Sequence, residues 1–136
     1  MNPLDTFTVQ AQKTMGTEAS AEHYRRLANG EFCGTRCTAC NAITFPPRTH
    51  CPDCFGAEID WVPIGDGATL YAFTTQGRAL RFRAPSVVGM VEIPDVGLVV
   101  TPIGGKLEDL EIGQPMKLEI IEIDDGKRLV HSFVAA

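Results

Sequence analysis

Cations are scarce in this chain: 12 lysines and arginines face 17 aspartates and glutamates, giving a formal net charge of −5. That balance opposes broad attraction to a phosphate backbone or an anionic lipid surface, and leaves room only for a local basic patch. Long hydrophobic runs are missing too. No stretch approaches the ~18 apolar residues of a membrane-spanning helix, and Met1 to Gly16 lacks the basic start and apolar centre of a secretory signal. A cytoplasmic location without membrane association is therefore expected. Histidine is rare: His23, His50 and His131 are the three present. Nothing in the pattern sets any of them beside Cys33, so a thiol-imidazole nucleophile has no support. Gly104-Gly105-Lys106 lacks the longer phosphate-loop pattern, and Glu108, Asp109, Glu111, Asp124 and Asp125 fall around turns as solvated groups rather than a catalytic pair. Repeats and low-complexity tracts are absent as well.

What the chain does have is a cysteine quartet. Cys37, Cys40, Cys51 and Cys54 form two C-x2-C pairs separated by ten residues, a spacing that reads as one tetrahedral metal site. Each pair makes a knuckle whose thiolates reach the same ion at about 2.3 Å, and zinc in a closed four-sulfur shell is structural rather than catalytic. A redox C-x-x-C would sit beside a strand-helix unit, whereas Pro46, Pro47 and Pro52 surround these pairs. Asn41 follows the first knuckle, where a left-handed backbone is often needed; Gly56 is expected to serve the second, one place later. Cys33, the fifth cysteine, reads as a small buried hydrophobe, and His50 as a group beside the site or on the surface. Thiolates kept available for metal agree with a reducing compartment.

Along the chain, residues 1–16 show little periodicity and are expected to form a flexible arm. Ala19, Ala21, Tyr24, Leu27 and Ala28 among charged residues, with Gly30 beyond, predict a short helix over 17–29. The metal knuckles follow, with a short strand over 42–45, so that helix and zinc ribbon occupy 17–60. From 61 to 136 the pattern changes to runs separated by glycine or proline turns. Five strands are predicted, over 68–75, 86–93, 97–103, 115–123 and 128–134, with a helical turn over 107–110. That sequence of elements matches a small five-stranded OB-type Greek-key barrel. The fold class is thus mainly β, with an N-terminal helix and rubredoxin-like zinc ribbon preceding an OB-fold barrel.

These residues together resemble the acyl-CoA-associated family that joins a rubredoxin-like zinc ribbon to an OB fold. The resemblance is carried by the helix before the ribbon, Cys37-Thr38-Ala39-Cys40-Asn41, Phe45-Pro46-Pro47-Arg48, Cys51-Pro52-Asp53-Cys54, Gly65-Asp66-Gly67, Ala84-Pro85-Ser86-Val87-Val88, and Leu110 through Met116. A glycine is usual directly after the second cysteine of the first knuckle, where this chain has Asn41, and Phe55 intervenes before Gly56 after the second. The resemblance implies a non-catalytic accessory subunit, without turnover of its own, of a thiolase-like enzyme complex. The partner would be a thiolase-fold subunit in a two-plus-two hetero-oligomer, with structural zinc here and coenzyme A or acyl-CoA as a ligand shared with the partner.

The residues suggest where such a partner would meet the chain. Tyr24, Leu27, Phe32, Ile43, Phe45 and Phe55 are more large apolar groups than so small a module can bury, which marks them as candidates for an interface. Arg78, Arg81 and Arg83 are candidates for a clamp on the phosphates of CoA, or for contact with an acidic partner surface. The alternative function is a zinc-ribbon/OB nucleic-acid-binding module, with Tyr71, Phe73 and Phe82 stacking bases; the acidic charge weighs against it. An autonomous acyl-transfer enzyme working through Cys33 is a third, weaker reading.

Overall fold

The computed structural model describes residues 18–78, 86–123 and 128–136. The arm expected over 1–16, together with Phe82, Arg81 and Arg83, lies outside the described residues. The chain divides into two compact units with the boundary between Ile64 and Gly65.

In the first unit, helix α1 (Glu18–Ala28) buries Ala19, His23 and Leu27, a four-residue spacing that puts one stripe inward. Glu18 in the first turn and Arg25 and Arg26 in the last complement the helix dipole. The helix stops where Gly30 turns left-handed, at φ 81°. Its N–H donates to the carbonyl of Leu27 and that of Glu31 to Arg26, the paired bonds of a Schellman end. Strand β1 (Cys33–Cys37) then pairs antiparallel with β2 (Ile43–Thr44) on one side and β3 (Ile59–Pro63) on the other. Rings supply much of the unit's packing: His23, Phe32 and Phe45 meet edge-on, with centroids 5.0 Å apart for Phe32–Phe45, 5.8 Å for His23–Phe45 and 6.3 Å for His23–Phe32. Arg26 ties α1 to β3. Its guanidinium lies 5.1 Å from the Trp61 ring centroid and its Nε donates to Glu22 at 2.9 Å.

The second unit is the barrel. Strands β4 (Thr69–Gln76), β5 (Ser86–Ile93) and β6 (Gly97–Ile103) form an antiparallel meander; β7 (Met116–Ile123) and β8 (Arg128–Ala135) pair with each other. The sheet order is β4-β5-β6-β8-β7. A bridge between Thr69 and Pro115, with the Leu70 N–H donating to Gln114 and that of Met116 to Ala68, joins β7 back to β4 and closes the ring. Parallel pairing at Ile103 and Phe133 joins β6 to β8. Inward residues alternate along the strands, with Leu70, Val91, Ile93, Val99, Thr101 and Phe133 buried. Gly89 faces a neighbouring strand with no room for a side chain: a Cβ there would lie 2.5 Å from the carbonyl oxygen of Ala72. A short 3-10 turn, Leu107–Asp109, precedes β7. These elements, with α1 and the cysteine-bearing ribbon, make the chain the mainly β, ribbon-plus-OB architecture expected from its sequence. Among the described residues no helix is long and apolar enough to cross a membrane.

His131 on β8 gives the barrel a pH dependence. Burial lowers its pKa, outweighing the contact of its Nε2 with the carbonyl of Val100 at 3.3 Å. Above the unfolded value of about 6.5, His131 is neutral in both states and adds no slope. As pH falls through that value, the unfolded chain takes up a proton that the folded one refuses, so stability declines towards the depressed folded pKa. The decline is at most about 1.4 kcal/mol per pH unit. Thermal unfolding at pH 7.5 and 5.5 should show a smaller acid loss for His131→Gln than for the wild type; equal losses would assign the effect elsewhere.

Candidate metal centre

The two knuckles are built alike. In the first, the Asn41 N–H donates to the carbonyl of Cys37 and that of Cys37 to Ala42, both at 2.9 Å. In the second, the Phe55 N–H donates to Cys51 at 2.8 Å and that of Cys51 to Gly56 at 2.9 Å. The four Sγ atoms lie within 4.8 Å of one another, with Cys37–Cys54 and Cys40–Cys51 each 3.5 Å apart. Tetrahedral zinc with bonds of about 2.3 Å places sulfurs about 3.8 Å apart, so the quartet fits such an ion with a small expansion.

The electrostatics ask for a cation. Backbone N–H groups of Cys40 and Ala39 directed at Cys37 bring its thiol down to about 7. At Cys40 the Ala42 N–H pulls downward, but the crowded thiols of Cys51, Cys54 and Cys37 prevail and push it up to about 12. Four thiols this close do not all ionise by themselves; a bound dication supplies the missing compensation. All four protein donors are then engaged and no open position remains for substrate.

The knuckles are alike in one further respect, where the sequence reading set them apart. Asn41 does adopt the left-handed conformation, at φ 64°. In the second knuckle the left-handed residue is Phe55, at φ 62°, not Gly56. Gly56 is small for another reason: a Cβ there would lie 3.2 Å from Cys37 Sγ and 3.4 Å from Cys54 Sγ. The left-handed conformation disfavours a side chain such as Phe55's by about 1–2 kcal/mol, and the Phe55 ring recovers none of this by burial, since the residue is 81% exposed.

The other candidates are scattered. Leu27 and Phe32 are buried, at 1% and 2% exposure, and keep no surface for a partner to cover, which corrects their assignment to an interface. Tyr24, Ile43 and Phe45 are half-buried, and Phe55 is exposed. Arg78 is exposed just beyond β4. Tyr71 is exposed and Phe73 half-buried on β4. Cys33 is buried on β1, and burial raises its pKa against the pull of Arg26, the opposite of an activated nucleophile. His50 is exposed, its Nδ1 3.1 Å from Thr49 Oγ1. Beside the second knuckle opens a cleft of about 550 Å³, lined by Pro46, Pro47, Arg48, His50, Pro52 and Phe55 and by the start of α1. Sequence reasoning singled out Phe55 but not this cleft, whose apolar wall is mostly proline.

Fold and site together define a two-module protein in which a four-thiol zinc ribbon precedes an OB barrel. A family model for the ChsH2 rubredoxin-like zinc ribbon domain matches residues 25–60, and one for the ChsH2 C-terminal OB-fold domain matches residues 61–120. The chain belongs to the ChsH2 family. It is 25% identical over 96 residues to the benzoylsuccinyl-CoA thiolase subunit BbsA of Thauera aromatica; the match spans 69% of this chain and 66% of that relative, just under two thirds of it. Among solved structures, a chain of the Ltp2-ChsH2(DUF35) aldolase superposes with TM-score 0.74 at 25% identity, covering 88% of this chain and 95% of that one. A DUF35-family protein of unknown function from Sulfolobus solfataricus shares the fold, with TM-score 0.64 at 19% identity, over 97% of this chain and 95% of its own.

Proposed function

We propose that this chain is a non-catalytic accessory subunit of a thiolase-like acyl-CoA enzyme complex. It would dock on a catalytic thiolase-fold partner and complete or stabilise the partner's acyl-CoA site. The observation that carries this reading is the correspondence with the Ltp2-ChsH2(DUF35) aldolase chain, which extends over 95% of that chain and so embraces ribbon and barrel alike. The name of the Thauera relative, a thiolase subunit, supports the same class. The metal's part is architectural: a shell saturated by four thiolates holds the ribbon's knuckles and offers substrate no position. Arg78, with Arg81 and Arg83 nearby in sequence, is proposed to meet CoA phosphates or an acidic partner surface. Two copies on a two-fold symmetric partner would give a two-plus-two assembly, and the reducing interior of the cell suits the thiolates.

A native pull-down that identifies the bound chain, followed by co-expression with a thiolase-fold subunit found in this way, tests the proposal. The two should elute together, and CoA-dependent cleavage or acyl transfer should require both. Turnover by the isolated, zinc-loaded chain at the rate of the complex would defeat the accessory role. Micromolar binding of single-stranded DNA or RNA with steep salt dependence would favour the nucleic-acid alternative instead.

A further inference from the structure

We infer that the second zinc knuckle and its cleft receive an acidic, apolar segment of the catalytic partner, with the Phe55 ring against an apolar side chain and Arg48 against a carboxylate. This rests on the accessory-subunit reading and specifies which surface carries it and what that surface recognises.

Three observations converge on the place. The first is Phe55 itself, a large ring held at φ 62° and left 81% exposed. Glycine is the residue that takes this conformation without steric cost, so neither the knuckle's turn nor the packing of its own unit accounts for a phenylalanine. Cover by another surface does. The second is rigidity. Paired backbone hydrogen bonds between Cys51 and Phe55–Gly56, and the sulfurs pressed against Gly56, hold the backbone that carries the ring. An exposed aromatic on a pre-ordered backbone loses little freedom on binding, which suits an interface anchor.

The third is charge. Four arginines are described in this unit, and three have carboxylate partners: Arg25 and Arg26 reach Glu22 at 2.9 Å, and Arg36 reaches Asp60 at 3.7 Å. Arg48 is exposed and has no ion pair among the described residues; Asp53, within the knuckle itself, is not joined to it. In a chain of net charge −5 this is a local cationic point. It lines the same cleft of about 550 Å³ as Pro46, Pro47, Pro52 and Phe55, with exposed His50 beside it. Prolines stiffen that wall, and a guanidinium fork at its margin matches a carboxylate. An apolar segment carrying Asp or Glu satisfies both features at once, whereas a purely apolar or a basic segment leaves Arg48 unmatched or repelled.

The test is calorimetric titration of the thiolase-fold subunit that co-purifies with this chain against wild-type chain, Phe55→Gly, Phe55→Leu, Arg48→Glu and Arg48→Lys, with zinc content and thermal midpoint recorded for each. Phe55→Gly should weaken binding at least tenfold while zinc and midpoint are retained, and Phe55→Leu should recover part of the loss. Arg48→Glu should weaken binding at least tenfold and reduce its salt dependence, while Arg48→Lys, which keeps the charge but not the fork, should fall between it and the wild type. If the wild type binds and both Phe55→Gly and Arg48→Glu bind within twofold of it, the cleft inference is overturned and the accessory reading stands. If the wild type does not bind, both fall. If the isolated chain proves to be a dimer that Phe55→Gly dissolves, the cleft takes a second copy and the inference is overturned.

Discussion

Replacing Cys37 with alanine should abolish stoichiometric zinc and unfold the helix-ribbon unit while the barrel remains folded. Structural zinc in small domains contributes about 10–16 kcal/mol of apparent binding free energy, coupled directly to folding. The unit has little else to draw on. Its described part spans residues 18–64, and its buried apolar groups are few: Ala19, Ala21, Leu27, Phe32 and the cysteines Cys33, Cys37 and Cys51. Modules of this size generally need a staple. Losing one thiolate leaves three donors and, at Cys37, also removes a 1% exposed side chain from β1. Zinc analysis should fall from about one ion per chain to near none, with amide protection lost over residues 18–64 and kept over the barrel. Chelation of the wild type should give the same pattern. Full protection of the ribbon without metal would show that its side-chain packing suffices.

Phe133→Ala should be the most damaging single change in the barrel, costing about 3–5 kcal/mol. Phe133 has no exposed surface, and its strand position is paired with Leu118 on β7 and Ile103 on β6. Its carbonyl also accepts the N–H of Gly104 at 2.9 Å. Removing the ring opens a cavity where three strands meet, in a closed shell too small to collapse around it. Against a typical domain stability of about 5–15 kcal/mol, the variant should sit near its unfolding threshold at ambient temperature. Urea unfolding monitored by far-UV circular dichroism measures this. Val100→Ala, at a position 62% exposed, should shift the midpoint little; comparable losses at both positions would mean the barrel interior is not where stability resides.

The barrel was legible because its strands announce themselves by alternation and by turn residues. The runs at 86–93 and 97–103 fall on β5 and β6 as found, those at 115–123 and 128–134 differ from the observed strands by a residue at one end, and that at 68–75 is offset by one residue at both ends. The metal site was legible because thiolate spacing leaves few other uses. Strands β1 and β3 were not read, for a physical reason: Cys-Gly-Thr-Arg-Cys and Ile-Asp-Trp-Val-Pro lack a two-residue hydrophobic period. Cross-strand pairing and the neighbouring metal, rather than local propensity, hold them extended. The left-handed residue of the second knuckle was assigned to Gly56 on conformational preference, whereas that glycine answers to sulfur crowding and the turn falls on Phe55. Likewise Phe32 read as surplus because the rings of His23 and Phe45 that pack against it come from elsewhere in the sequence.

The strand order carries a consequence for biosynthesis. Strands β6 and β7 follow one another in sequence yet are not neighbours, because β8 lies between them. As the chain leaves the ribosome, the meander of β4 to β6 therefore waits with the edge of β6 unpaired until the segment from Arg128 to Ala135 has emerged. The ribbon's sheet and all four thiolates, by contrast, are available once Pro63 is out. One nascent chain thus offers a module ready for metal while its barrel is still an open sheet, and the interval between them is when the exposed strand edge is most vulnerable to pairing with another chain.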